Sequence, residues 1–283
     1  MVNHSEKNKT PRDTRRDSSV DDTNKNSRSP VSMNRYAAAG DKSLEISSRL
    51  TLQEPFSLES NLVKRLVHRE INAKEAFTIR DGSGDYFRAS LKELNKGKGL
   101  AVPYERMERS PEPTVEITLA CAVLGRQRML FVMQKATELG VTHIVPLLTD
   151  HSVPTEDLDH EKASSWPVQI LRAARQCRRG SLPQVHPPTS LDTFLISSTF
   201  TSADVCVVLD AHSVPTPPTT ESVRRIVLLV GPEGGFSDAE RSKLATKTHP
   251  WVLGGRILRA ETAVIVGLTA VQITWGDFTR ATF

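Results

Sequence analysis

Two neighbouring stretches decide how the rest of the chain is read. They are Ile226-Val-Leu-Leu-Val-Gly-Pro-Glu-Gly-Gly-Phe-Ser-Asp-Ala-Glu240 and Trp251-Val-Leu-Gly-Gly-Arg-Ile-Leu-Arg-Ala-Glu-Thr-Ala263. Residues 226–230 form an unbroken apolar run, the pattern of a short strand buried on both faces. The run ends in Gly231-Pro232-Glu233-Gly234-Gly235, where glycine lets a ligand approach the main chain. Ser237 stands three residues before Glu240, the spacing of a capping box, so a helix is expected to start there. Residues 251–253 read as a second strand, again ending in glycines, with a long helix expected from Thr262. Two strands that each break into a glycine loop followed by a helix mark the ligand crevice of an open α/β sheet.

The ligand is not announced by the usual phosphate signatures. The chain has no G-x-x-x-x-G-K-[ST], and no G-x-G-x-x-G follows a first strand. Glu233 and Glu261 would repel phosphate, so the loops suit a neutral or cationic adenine-type ligand better than a nucleoside triphosphate. An isolated Gly-Gly pair is often only a tight turn. Two such pairs on successive strands favour a ligand site.

Residues 229–236 (Leu-Val-Gly-Pro-Glu-Gly-Gly-Phe) and 253–263 (Leu-Gly-Gly-Arg-Ile-Leu-Arg-Ala-Glu-Thr-Ala) closely resemble the RsmE family. These are SPOUT-class RNA methyltransferases that methylate N3 of a uridine in 16S ribosomal RNA with S-adenosylmethionine. Residues 134–147 (Gln-Lys-Ala-Thr-Glu-Leu-Gly-Val-Thr-His-Ile-Val-Pro-Leu) agree, and the three segments follow the family's order. The resemblance implies a C-terminal, trefoil-knotted parallel α/β domain over residues 111–283. It implies a small PUA-like β-barrel over residues 46–110 that helps hold RNA, and a homodimer with its site near the interface.

The resemblance also assigns residues. S-adenosylmethionine would be held by Leu209, Leu229, Gly231, Glu233, Gly234, Gly235, Leu253, Gly254, Ile257, Leu258 and Thr262. Uracil N3 carries a proton, and a cation near O2 or O4 would favour its anion. Arg259 is the first candidate for that cation and Arg256 the second, with Glu261 orienting the arginine or taking the proton. A carboxylate at a helix start can equally serve the helix dipole. RNA would meet Arg126, Arg128, Gln176 and Arg179, and the partner is the 16S rRNA of the small ribosomal subunit. The chain departs from the family pattern at Leu124, which replaces a lysine, around Asn61, where a His-rich helix start is replaced, near residues 72–74, where a Gly-Asp turn is missing, and at four further positions. His151 replaces an arginine, Arg172 and Arg175 replace carboxylates, and Arg178 replaces a glycine.

Composition sets the outer bounds. A chain of 283 residues is long enough for two domains, and a net charge of +4 permits a nucleic-acid partner. The three cysteines, Cys121, Cys177 and Cys206, are far apart, which suits neither a zinc site nor a disulfide framework and fits a cytoplasmic protein. No metal and no membrane partner are expected, since no apolar run has the length of a span. Residues 1–45 are mostly Ser, Asn, Asp, Lys and Arg, and a disordered tail is expected there. Alternation in residues 77–80 and 86–91 around Asp81-Gly82-Ser83-Gly84-Asp85 reads as a β-hairpin. Helices are expected over 129–139, closed by Gly140, and over 161–179, with Pro167 kinking or delaying the second. Strands alternating with helices after residue 115 give a parallel α/β domain. No Ser-His-Asp or Cys-His arrangement suggests covalent catalysis. Two other functions share these features: a ribose-methylating SPOUT enzyme and a non-catalytic RNA-binding factor.

Overall fold

The computed structural model describes residues 33–95, 97–211 and 222–278. The expected tail lies outside the described residues as far as residue 32.

Two sheets organise the described chain. The first is antiparallel, in the order β1 (Phe56–Leu58), β4 (Lys98–Arg106), β3 (Tyr86–Asn95), β2 (Ala76–Arg80). The expected hairpin is β2–β3, with Arg80 opposite Tyr86. Asp81 holds its turn by accepting from the amides of Ser83 at 2.9 Å and Asp85 at 3.1 Å, an Asx-type device. Helix α1 (Ser60–His68) lays Leu62, Val63 and Leu66 on this sheet, where they bury Phe77, Ile79, Phe87 and Leu91.

The second sheet has seven strands: β5 (Glu116–Ala122), β6 (His143–Leu148), β7 (Gln184–Val185), β8 (Thr189–Ser190), β9 (Val205–Leu209), β10 (Arg225–Val230) and β11 (His249–Trp251). The order is β11-β9-β10-β5-β6-β7, with β8 also on β6, and every pairing is parallel. The continuous apolar runs of β5 and β10 fit burial on both faces. Parallel pairing sets all the loops that follow the strands along one edge, the carboxyl edge.

Helices cover both faces. Helix α2 is Arg126–Glu138, starting three residues earlier than expected, so Arg126 and Arg128 lie in its first turn. Gly140 then takes φ +81°, and Val141 N–H donates to Ala136 at 3.0 Å, closing a Schellman turn. Helix α3 is Trp166–Gln176 rather than 161–179. Pro167 lies in its first turn, where its missing N–H costs nothing, and Lys162 at φ +52° breaks the chain before it. Helix α4 is Asp238–Ala245, and α5 is Ala260–Thr274, two residues earlier than expected. Gly267 brings α5 onto the sheet, because a Cβ there would lie 2.7 Å from the Leu209 side chain.

Residues 33–45 correct the expectation of a tail reaching to residue 45. Ala38 and Asp41 form bridges with Val185 and Leu182. Tyr36 is buried against Trp166, and Leu44 is buried in the core of the antiparallel sheet. A few large apolar side chains in a polar segment are enough to anchor it when each finds a pocket.

Candidate active site

The carboxyl edge of the parallel sheet holds a cavity of about 260 Å³ between the ends of β9, β10 and β11 and the start of α5. The loop after β10 is held tightly. Gly235 N–H donates to Pro232 at 2.9 Å, and Gly235 has φ +71°. A Cβ on Gly231 would lie 3.2 Å from the Phe236 ring. Ser237 then caps α4, accepting from Glu240 N–H at 3.3 Å while the Glu240 carboxylate accepts from Ser237 N–H at 2.9 Å.

The loop after β6 braces this turn. Asp150 N–H donates to Glu240 Oε1 at 3.1 Å, and Ser237 Oγ donates to Asp150 Oδ2 at 2.5 Å. His151 packs on Gly234, with Nδ1 3.0 Å from the Gly235 carbonyl. His151 therefore supports the glycine loop.

Leu209, Gly231, Glu233, Gly234, Gly235, Leu253, Gly254, Ile257 and Leu258 line the cavity. Two residues expected there do not. Leu229 is fully buried and packs in the other apolar cluster with Val208 and Leu244, because alternation along β10 turns it the opposite way from Val230. Thr262 is exposed on the first turn of α5, and Ala263 reaches the cavity instead. The reading by sequence missed Asp210, Phe236 and Arg241 as lining residues. Asp210 directly follows a buried strand, which was a usable signal. Arg241 comes from α4 and reaches back to Gly235, where a Cβ would lie 3.4 Å from its Nη2; no local pattern shows that.

The candidate catalytic residues separate. Arg256 is exposed and lines the cavity. Arg259 is exposed at the N-cap of α5, off the lining. Glu261 follows in the first turn, and its Oε2 is buried with no hydrogen-bond partner among the described residues. Arg128 hydrogen-bonds Glu233 across the loop, and that bond raises the Arg128 pKa further above its ordinary value. Burial pushes the Cys121 thiol up to about 12, so it is no nucleophile.

The residues expected on the RNA side also separate. Gln176 is exposed, and Arg128 is exposed but paired with Glu233. Arg126 is half-buried, with its backbone N–H on Glu161 and its Nε without a partner. Arg179 corrects the expectation. It is buried, it donates to the carbonyls of Thr137 at 3.1 Å and Val141 at 2.8 Å, and it pairs with Glu112 at 3.2 Å. Those contacts tie off the end of α2 and leave no face for RNA. Among the described residues no cluster of His, Cys, Asp or Glu could hold a metal ion, and no helix is long and apolar enough to cross a membrane.

Residues 110–272 match the family model described as an RNA methyltransferase domain. The Ribosomal RNA small subunit methyltransferase E of Synechocystis is 30% identical over 255 residues, covering 88% of this chain and 80% of that protein. The chain belongs to the ribosomal RNA small subunit methyltransferase E family. The family member from Buchnera aphidicola (Schizaphis graminum) is 26% identical over 237 residues, 83% of this chain and 94% of its own. Among solved structures, the family member from Neisseria gonorrhoeae bound to S-adenosyl methionine is 27% identical. It superposes with a TM-score of 0.60, covering 83% of this chain and 98% of that one. The fold of this family is thus an α/β fold with a mostly parallel sheet, as found here.

Proposed function

We propose that this protein methylates N3 of a uridine in the 16S rRNA of the small ribosomal subunit, with S-adenosylmethionine as the methyl donor. The observation that carries the reading is the cavity bounded by the glycine loops at the carboxyl edge, in a chain of this family. Its lining fits the donor. Leu209, Val230, Leu253, Ile257 and Leu258 give apolar walls for an adenine, and glycine backbone groups stand ready to read its edge. Asp210 is a carboxylate that suits a sulfonium cation and opposes phosphate, and Glu233 adds a second whose charge it shares with Arg128.

S-adenosylmethionine supplies a methyl group already activated for displacement, so the protein's task is to align and to manage one proton. Uracil N3 lies on the pairing edge, so the target base must be unpaired or flipped out. Arg256 at the cavity rim would stabilise negative charge as the N3 proton leaves. Arg259, two residues before Glu261, would approach the same base from the start of α5. Glu261 would orient an arginine or take the proton, since its buried Oε2 awaits a partner.

The same reading includes a closed PUA-like barrel built on the antiparallel sheet, a trefoil knot at the C-terminal loops, a homodimer and action in the cytoplasm. A non-catalytic RNA-binding factor would have no use for an apolar cavity with glycine walls.

The test is methyl transfer from labelled S-adenosylmethionine to small subunits from cells lacking this gene, followed by nucleoside analysis. Label in 3-methyluridine that disappears in Arg256→Ala is the expected result. Cofactor binding without any labelled nucleoside would overturn the catalytic reading.

A further inference from the structure

A second crevice lies far from the glycine loops, where α3 meets the antiparallel sheet. Its volume is about 500 Å³, and its lining is Glu75, Ala76, Arg88, Arg172, Arg175 and Gln176. Three arginines face one carboxylate. Arg175 uses that carboxylate, pairing with Glu75 at 2.8 Å. Arg172 is exposed and has no ion pair or hydrogen bond among the described residues.

Arg88 is the decisive member. It is only 8% exposed, its Nη1 donates to Thr78 Oγ1 at 2.9 Å, and its Nε is buried without a partner. Among the described residues the other two buried arginines each have a carboxylate: Arg69 has Asp41, and Arg179 has Glu112. A mostly buried guanidinium whose one hydrogen bond among the described residues goes to a neutral hydroxyl, with its Nε left without a partner, is costly unless an anion comes near it. The crevice beside Arg88 is where that anion can come, and Arg172 stands exposed on its wall.

We propose that this crevice binds a backbone phosphate of the RNA substrate, at a contact separate from the methyl-transfer site. The inference rests on the RNA-methylating function proposed above. Topology sets the separation. Shortly after α3 the chain enters β7, whose first residue, Gln184, pairs with His143, the first residue of β6. The crevice is therefore at the amino edge of the parallel sheet, and the cavity is at the carboxyl edge. A phosphate here belongs to a stretch of RNA distant from the target base. The contact fixes where the RNA lies and leaves the chemistry untouched.

RNA binding by the full-length protein is measured across a salt series with small-subunit rRNA, alongside the KM and kcat of methyl transfer. The test variant is Arg172→Gln, an exposed change with no partner to lose. Each phosphate contact contributes about one to the slope of log K against log salt. Arg172→Gln is expected to lower that slope by about one and raise the KM for RNA roughly three- to tenfold. The kcat and the cofactor affinity are expected to stay unchanged, and Arg172→Lys to restore most of the slope. An unchanged slope and KM would overturn the crevice as a phosphate site, as would loss of RNA affinity that Arg172→Lys does not restore. If wild type binds RNA with the expected arginine dependence yet transfers no methyl group, the methyltransferase reading fails while the crevice stands.

Discussion

The glycine loops at residues 231–235 and 253–258 and the arginine run at residues 172–179 both stand out in the sequence, and they meet opposite fates. The loops stay open and wall a cavity. The arginines are largely consumed by carboxylates at the joint between the two sheets: Arg175 by Glu75, Arg178 by Glu105 and Arg179 by Glu112. Glycine shapes the backbone by its own stereochemistry, so its effect can be read locally. An arginine's role depends on which anion reaches it, and here those anions stand 67 to 100 residues away in the chain. Positive charge counted along a sequence is therefore a poor guide to positive charge available to RNA.

The largest expected effect sharpens the arginine side. The Glu112 carboxylate accepts from Arg179, from the amides of Gly180 at 2.7 Å and Ser181 at 2.8 Å, and from the Ser181 hydroxyl. Glu112→Ala leaves Arg179 buried and uncompensated, which costs about 3–5 kcal/mol. Denaturant unfolding checks this. If stability is unchanged and RNA binding tightens, Arg179 is a usable RNA contact and the contrast collapses.

On the loop side, Arg256→Ala is expected to lower kcat by about 10²–10³-fold, the usual cost of removing one donor from a charge-stabilising site. Cofactor affinity measured by calorimetry should stay within about threefold. A parallel fall in cofactor affinity would make Arg256 part of the cavity wall only. Gly231→Val is expected to do the reverse. Its side chain would meet Phe236 and fill the cavity, weakening the cofactor by roughly 100-fold, about 2.7 kcal/mol, while unfolding changes less. Retained cofactor binding in that variant would move the site elsewhere.

How legible the molecule is follows from the same physics. The parallel sheet and the two loops show in the sequence because unbroken apolar runs end in glycine. The β2–β3 hairpin shows because its turn is built from Asp81, Ser83 and Asp85 acting on each other. Arg241 and Phe236 were invisible as cavity residues, since tertiary packing alone turns them towards Gly235 and Gly231. The ordered strap before β1 was invisible for a related reason. Tyr36 and Leu44 are isolated apolar residues whose pockets belong to two different cores. The side chain of Leu229 turns away from the cavity, and a continuous apolar strand hides that, because it does not mark which face each residue takes.

The smallest expected effect compares two copies of one turn. Helices α2 and α3 end in the same Schellman geometry. Gly140 occupies the left-handed position in the first, and Arg178 occupies it at φ +65° in the second. Arg179 N–H donates to Ala174 at 3.0 Å there, matching Val141 N–H to Ala136. A side chain in that conformation costs roughly 1–2 kcal/mol, and the exposed Arg178–Glu105 pair at 3.0 Å returns at most about 1 kcal/mol. Arg178→Gly should therefore be more stable than Arg178→Ala by about 1 kcal/mol, since both lose the ion pair and only glycine releases the strain. Gly140→Ala should cost more than either, because its Cβ would lie 2.7 Å from Gln272 Nε2 as well as taking φ +81°. Chemical denaturation of the three variants ranks them. If Arg178→Ala equals Arg178→Gly, the turn carries no strain, and the arginine's position there is decided by Glu105 alone.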